Sequence, residues 1–457
     1  MTQDIFGQDT SLTGTAALQS WNAVQLSILA HSAATADHLG AVLEAAPEFA
    51  QAQAIKGLSL MMLGRSELLP AARAALAEAE RLAGAATPRE RKYTAALAAW
   101  LAGRPSQAVD CMEQVLDRCP GDALAMKMSH GIRFILGDAA GMRASAERVL
   151  PAYGPDHAAR GYLLGCHAFT LEETGEYDRA ATTGRQALWL APDDAWGLHA
   201  VTHVYEMTAN ARAGLDWLEG REAAWAHCNN FRYHVWWHKA LLLLDLGQKD
   251  AALALYDDEV RKDKTDDYRD IANATSLLMR LELEGVPAGT RWEELADLCA
   301  RRTGDGSLIF ADLHYLLALT GHRPEAAHEL VQRIHADGEA ATLPQSSEAQ
   351  ARMADPGCAA ASGVEAFGAG DYRTAFERLS AARATLQLAG GSHAQRDIFE
   401  RLAIDAGIRS CQLDGAESIL DDRRAKRCGA EDNYALARRV LIARTRAGGG
   451  VRSVPAE

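Results

Sequence analysis

The stretch "GYLLGCHAFTLEETGEYDRAATTGRQALWLAPDDAW" (residues 161–196) carries the pattern that decides the fold. An apolar-rich helical segment runs into Gly175 and Tyr177; Ala180 and Ala187–Leu188 follow, and Pro192 closes the unit. The glycine relieves a crowded turn, the small alanine lets two helices approach, and the proline ends the second helix. The same frame recurs. Gly103, Ala108 and Pro120 occupy equivalent offsets in 101–120, and Gly137 follows Gly103 by 34 residues. Further copies carry Gly247 and Ala252, Gly321 and Ala326, and Gly370, Tyr372, Ala375 and Ala382, with a weaker one around Gly64.

Helix, turn, helix and proline at spacings of 34 to 39 residues is the tetratricopeptide pattern in degenerate form. A stacked helix pair cannot bury its apolar face alone, so its neighbours must supply the other side. The expectation is an all-α, helix-pair solenoid running without a break over residues 1–446, curved and with a concave pocket. Two stretches read as loose, 83–92 and 338–357, the second as a long loop or crossing. The tail 447–457, "AGGGVRSVPAE", reads as disordered.

Bulk properties agree with an all-helical reading. Alanine, leucine, arginine and glutamate dominate, all strong helix formers, and alternating runs of β-branched residues are missing. A formal net charge of -14 without clustered lysine and arginine argues against a nucleic-acid or anionic-membrane binder. Eight scattered cysteines without a C-x-x-C pair point to a reduced, cytoplasmic chain. The N-terminus lacks the basic and apolar regions of a signal peptide, and "LSLMML" (58–63) is too short to span a bilayer.

The chemistry concentrates in 196–238, which holds five of the fifteen histidines and five of the nine tryptophans. An even scattering would place roughly one of each there. In the repeat frame Trp196, His199, His203 and Glu206 fall on the groove-facing side of one first helix, and their spacing independently sets the last three on one stripe. His234, Trp237 and His238 fall on the next first helix, about 10 Å away. Two H-x-x-x-H helices side by side can converge four imidazoles and a carboxylate. Three readings stand: a divalent zinc, iron or manganese site on His199, His203, His234, His238 and Glu206; a ligand pocket in which histidine gives hydrogen bonds and tryptophan flat walls; or hydrogen-bonded structural histidines. H-E-x-x-H is absent, so this is not the common zinc-protease helix. Glu172 is a further groove position, whereas His167 and His314 read as packing residues. Glu222, Trp225, Cys228 and Asn229 read as a loop over the groove.

Taken together, "HAVTHVYEM" (199–207), "WLEGREAAW", "HVWWHKALLLLDLG" and "LYDDEV" resemble the tetratricopeptide repeat protein 38 family. The likeness runs from "DIFGQDTSLTGTAAL" to "GGSHAQRDIFERLAIDA" (390–406), nearly end to end. It implies the repeat fold and marks characteristic segments, among them Asn273, Ser276 and Arg280 in "NATSLLMRL" and Arg396 and Asp397 in "AQRD". It implies no reaction. In that family's pattern an acid usually stands at the Asn273 position and a tryptophan at Met279. Arg280 and Arg396 join the expected pocket set, with Arg396 and Asp397 either folding back into the groove or forming a helix-start ion pair. The expected function is binding, or binding and conversion, of a small polar molecule, with His199, His203, His234 and His238 as proton-transfer or ligand groups and a peptide tail as the alternative partner; peptide-binding arrays favour lysine, arginine and asparagine in the groove.

Overall fold

The repeat units become helix pairs. A computed structural model describes residues 2–448, so the tail from 449 onward lies outside the described residues. The quoted stretch forms Arg160–Glu173 and Tyr177–Leu190, followed by Ala195–Met207. Most helices pack on their successors, and first helices pack on the next first helix, as in Arg160–Glu173 against Ala195–Met207. Ala180 is fully buried where the pair closes. The described strands are a two-residue hairpin, Thr2–Gln3 with Asp9–Thr10.

Three local expectations are corrected. The 83–92 stretch is ordered by a capping box at Thr87 and Glu90, which starts helix Pro88–Leu101. Glu90 also accepts from the Ser11 amide at 2.8 Å. Gly321 is not a turn residue: helix Ile309–His322 continues through it, and Pro324 starts the next helix. The 338–357 stretch is not a long loop. Helix Pro324–Ala340 extends into it, and Ser347 and Gln350 cap a short helix, Glu348–Arg352.

That short helix docks on the first third of the chain. The Glu348 amide donates to the Gly103 carbonyl at 3.0 Å, and Glu348 accepts from Ser106. Similar bonds join early and late repeats elsewhere. Arg65 reaches Asp266 at 2.9 Å, Arg302 reaches Glu67 at 2.5 Å, and the Tyr177 hydroxyl donates to the Lys426 carbonyl at 2.7 Å. The solenoid therefore curls until late repeats touch early ones. Leu386–Ala389 and the glycines after it press on the end of helix Ala123–Leu136. Gly137 (φ 71°) and Gly390 (φ 87°) make this approach possible: a Cβ on the first would meet the Gln387 carbonyl oxygen, and on the second the Ile135 carbonyl oxygen.

Candidate metal centre and adjoining cavity

Helices Ala195–Met207 and Phe231–Asp245 lie side by side, and both H-x-x-x-H pairs turn inward. His199 Nε2 lies 2.8 Å from His203 Nε2 and 3.1 Å from His234 Nε2, and His234 Nε2 lies 3.2 Å from His238 Nε2. Four ring nitrogens, one from each residue, fall within 4.8 Å of one another. All four rings are buried.

The outer ring nitrogens explain this orientation. His238 Nδ1 meets Glu206 Oε2 at 3.1 Å, His234 Nδ1 meets Asn273 Oδ1 at 2.9 Å, and His203 Nδ1 faces Glu172 Oε2 at 3.3 Å. The Asn273 and Glu206 oxygens only accept here, so the protons of His234 and His238 belong on Nδ1 and their Nε2 lone pairs point at one another, whereas His203 Nδ1 lies near Glu172 without a hydrogen bond. Burial, then the neighbouring imidazoles, push His199 and His238 well below the ordinary histidine range. Burial, aided by the neighbouring His203, brings His234 to about 3, despite the bond to Asn273. Bare lone pairs in contact repel unless an electron-pair acceptor sits among them. A tetrahedral zinc ion with Zn–N of about 2.0–2.1 Å sets its nitrogens roughly 3.3–3.4 Å apart, close to the spacings seen. Carboxylates behind ligating histidines are the usual outer support of such centres. Burial raises the Glu206 carboxyl; an adjacent dication would pull it back down.

Glu172 is held from its other side by His393 Nε2 at 2.5 Å, and the His393 amide donates to Glu173 at 2.9 Å. Burial works to lower His393, but Glu172 and Glu173 outweigh it and lift the ring to about 9. Burial works to raise Glu172, and the facing His393 and His203 hold it at about 2. The "GGSHAQRD" turn thus does fold back, through His393. Arg396 bonds the carbonyls of Gly390 and Gly391 and lies 3.5 Å from Glu173, while Asp397 pairs with Arg401 and Arg423.

The centre borders a cavity of about 170 Å³ inside the closed ring. Trp196, His199 and His234 line it, with Phe134, Phe231 and Phe310. The other expected pocket residues lie elsewhere. Trp237 is fully buried, stacked on His234 at 5.2 Å, with the Arg280 guanidinium 5.4 Å from its ring. Arg280 donates to the Ala394 carbonyl at 2.8 Å, is lowered to about 9 mainly by burial, and with Glu206 borders a separate cleft of about 400 Å³. Ser276 accepts from Arg280. The 222–229 segment does not cover the groove. Trp225 packs edge-on against Trp236, Cys228 Sγ donates to the Ala30 carbonyl, and the Asn229 amide donates to the His31 carbonyl at 2.8 Å. His314 Nδ1 donates to the Phe310 carbonyl at 2.7 Å and His167 meets Glu147, as packing residues do.

The sequence reading missed His31, Lys127 and His130 on the cavity wall, and His393 behind Glu172. One signal was present. In "ALAMKMSHGIRFIL", Lys127 and His130 stand one turn apart among buried, mostly apolar residues, polar groups where core residues belong.

No protein-family model matches the chain. Among solved structures it is similar to a human IFIT1 dimer with m7Gppp-AAAA, at 16% identity over 88% of this chain and 89% of that one, with a TM-score of 0.35. It is also similar to Naa15/Naa10 bound to HypK-THB, at 13% identity over 97% of this chain and 70% of that one, with a TM-score of 0.25. Similarity at these levels says nothing about what this chain binds. No helix among the described residues is long and apolar enough to cross a membrane.

Proposed function

We propose that this chain is a tetratricopeptide-like repeat protein that binds a divalent transition-metal ion, zinc by preference, through His199, His203, His234 and His238. A compact small molecule is held in the cavity beside that ion. The single supporting observation is the set of Nε2–Nε2 approaches at 2.8–3.2 Å, with acceptors placed behind three of the rings. Structural histidines normally pair their ring nitrogens with complementary partners, and an array of facing lone pairs does not do this. Glu206 offers negative charge to a dication held by four neutral rings, and Glu172 shares its charge with His393. The likeness to the tetratricopeptide repeat protein 38 family fits, since its characteristic segments contain all four histidines. A cytoplasmic location fits eight unpaired cysteines.

A peptide clasp is less favoured, because about 170 Å³ is too small for an extended peptide. The test is elemental analysis of untagged protein, as purified and after incubation with zinc. About one ion per chain is expected for a site of this kind. The double variant His199→Ala/His234→Ala should bind none while keeping its helical circular dichroism. Wild-type protein that neither carries metal nor takes up zinc would sink the reading.

A further inference from the structure

The cavity wall on helix Ala123–Leu136 is chemically unlike the histidine wall. Lys127 is buried, and the one hydrogen-bond partner of its ammonium among the described residues is the Cys166 thiol at 3.9 Å. Among the described residues it forms no ion pair. Its ammonium lies 5.1 Å from the centre of the Trp196 ring, which also packs against Phe169, His199, His31 and Phe231 at 4.8–5.3 Å between ring centres. Arg269, the second cation on the wall, is already committed to Asp267 through two bonds of 2.7 and 2.9 Å.

The cavity wall carries further polar atoms without partners in the protein. They are Trp196 Nε1, Asn230 Nδ2, His130 Nε2 and His31 Nε2. The first two can only donate, as can Lys127. Two side-chain acceptors of the wall are in use, Asn273 Oδ1 meeting His234 and Gln395 Oε1 accepting from the Ser392 amide, and Asn230 Oδ1 is a further one. No aspartate or glutamate lines the cavity among the described residues. Asp194, a buried acid that feels Lys127, caps helix Ala195–Met207 through Oδ2, keeps Oδ1 without a hydrogen-bond partner, and forms no ion pair with Lys127. His31 holds a left-handed backbone (φ 55°) and is stacked between Trp196 and Phe231. A non-glycine residue held there marks a position fixed by its surroundings.

We infer that the cavity is a binding site for a compact aromatic carboxylate, its anion on Lys127 with Trp196 Nε1, Asn230 and His130, and its ring among Trp196, Phe231, Phe134 and Phe310. A single uncommitted cation matches a monoanion better than a phosphate, which carries nearly two charges and needs more donors. The size fits as well: a cavity of about 150 Å³ takes a benzene ring. This rests on the proposed cavity and is independent of the metal.

The probes are benzoate, phenylacetate and 3-phenylpropanoate, each paired with its own amide, titrated calorimetrically into zinc-loaded and into EDTA-stripped protein. At least one acid should bind at least about tenfold more tightly than its amide in both forms, the scale of one charge-assisted hydrogen-bond set. Lys127→Met should bring that acid and amide to equal affinity, with its folding checked by circular dichroism; the acid–amide comparison in wild-type protein decides the matter even if this variant does not fold. Equal affinities in wild type, or no binding by any of the six, overturn the inference. An acid preference seen only with zinc and kept in Lys127→Met places the carboxylate on the metal, which removes the Lys127 assignment and leaves the metal centre standing. Acid preference in protein that cannot be loaded with zinc sustains this inference and ends the metal reading.

Discussion

Near the C-terminal end, Arg401, Arg423 and Arg427 converge on Asp397 and Asp432, and each guanidinium meets a carboxylate at 2.6–3.3 Å. At the centre of the ring, four imidazoles converge on one another, and Lys127 converges on nothing of opposite charge. Both regions are buried and polar. In the first, every charge finds its complement inside the chain, so the cluster explains itself as structure. In the second, donors face donors and lone pairs face lone pairs, which is stable only when something from outside completes it. The difference teaches that burial of polar groups does not mark a site. Missing complementarity does.

The comparison can be broken from either side. The largest effect is expected in the self-complete cluster. Asp432→Ala leaves three buried guanidinium groups short of a partner and should cost about 3–5 kcal/mol by urea denaturation, without changing the metal content of the folded fraction. A neutral outcome would mean that solvent screens the cluster. Next comes the centre. With free zinc at about a thousand times its dissociation constant, the wild type should gain roughly 4 kcal/mol over EDTA-treated protein. His203→Ala should lose most of that gain. Equal melting points with zinc and with EDTA in the wild type would place the four histidines in the self-complete class.

A smaller effect separates the two regions by pH. The folded state lifts His393 to about 9, above its ordinary value near 6.5. A raised histidine contributes stability that is fully present below the ordinary value and is lost as pH rises through the folded one. Metal-free protein should therefore lose melting temperature between about pH 6.5 and pH 9, and His393→Gln should flatten that slope. Arg423 first and then Arg427 hold Asp432 low against the effect of burial. Its contribution is present above about pH 4 and is lost only as pH falls below the ordinary carboxylate range. The slope between pH 6.5 and 9 should therefore be the same in Asp432→Ala as in the wild type. The smallest effect is Lys127→Met. Removing a cation that pairs with no carboxylate should leave ligand-free stability within about 1 kcal/mol of wild type, or raise it. A loss as large as that of Asp432→Ala would show that Lys127 has a structural partner after all.

The sequence by itself determined the helix pairs and one side of the centre. A glycine turn, a small alanine and a closing proline act within about 35 residues, and the i, i+4 histidine pairs are fixed by the pitch of a single helix. Adjacent first helices then had to bring His199 and His203 beside His234 and His238. Only the tertiary structure decided that Lys127, His130 and His31 would face them, that His393 would brace Glu172, and that Arg396 would bond a turn rather than line a pocket. Those residues meet because the array curls until late repeats touch early ones. That closure is the sum of small rotations at every repeat interface, each set by packing between neighbours and none written in a local spacing.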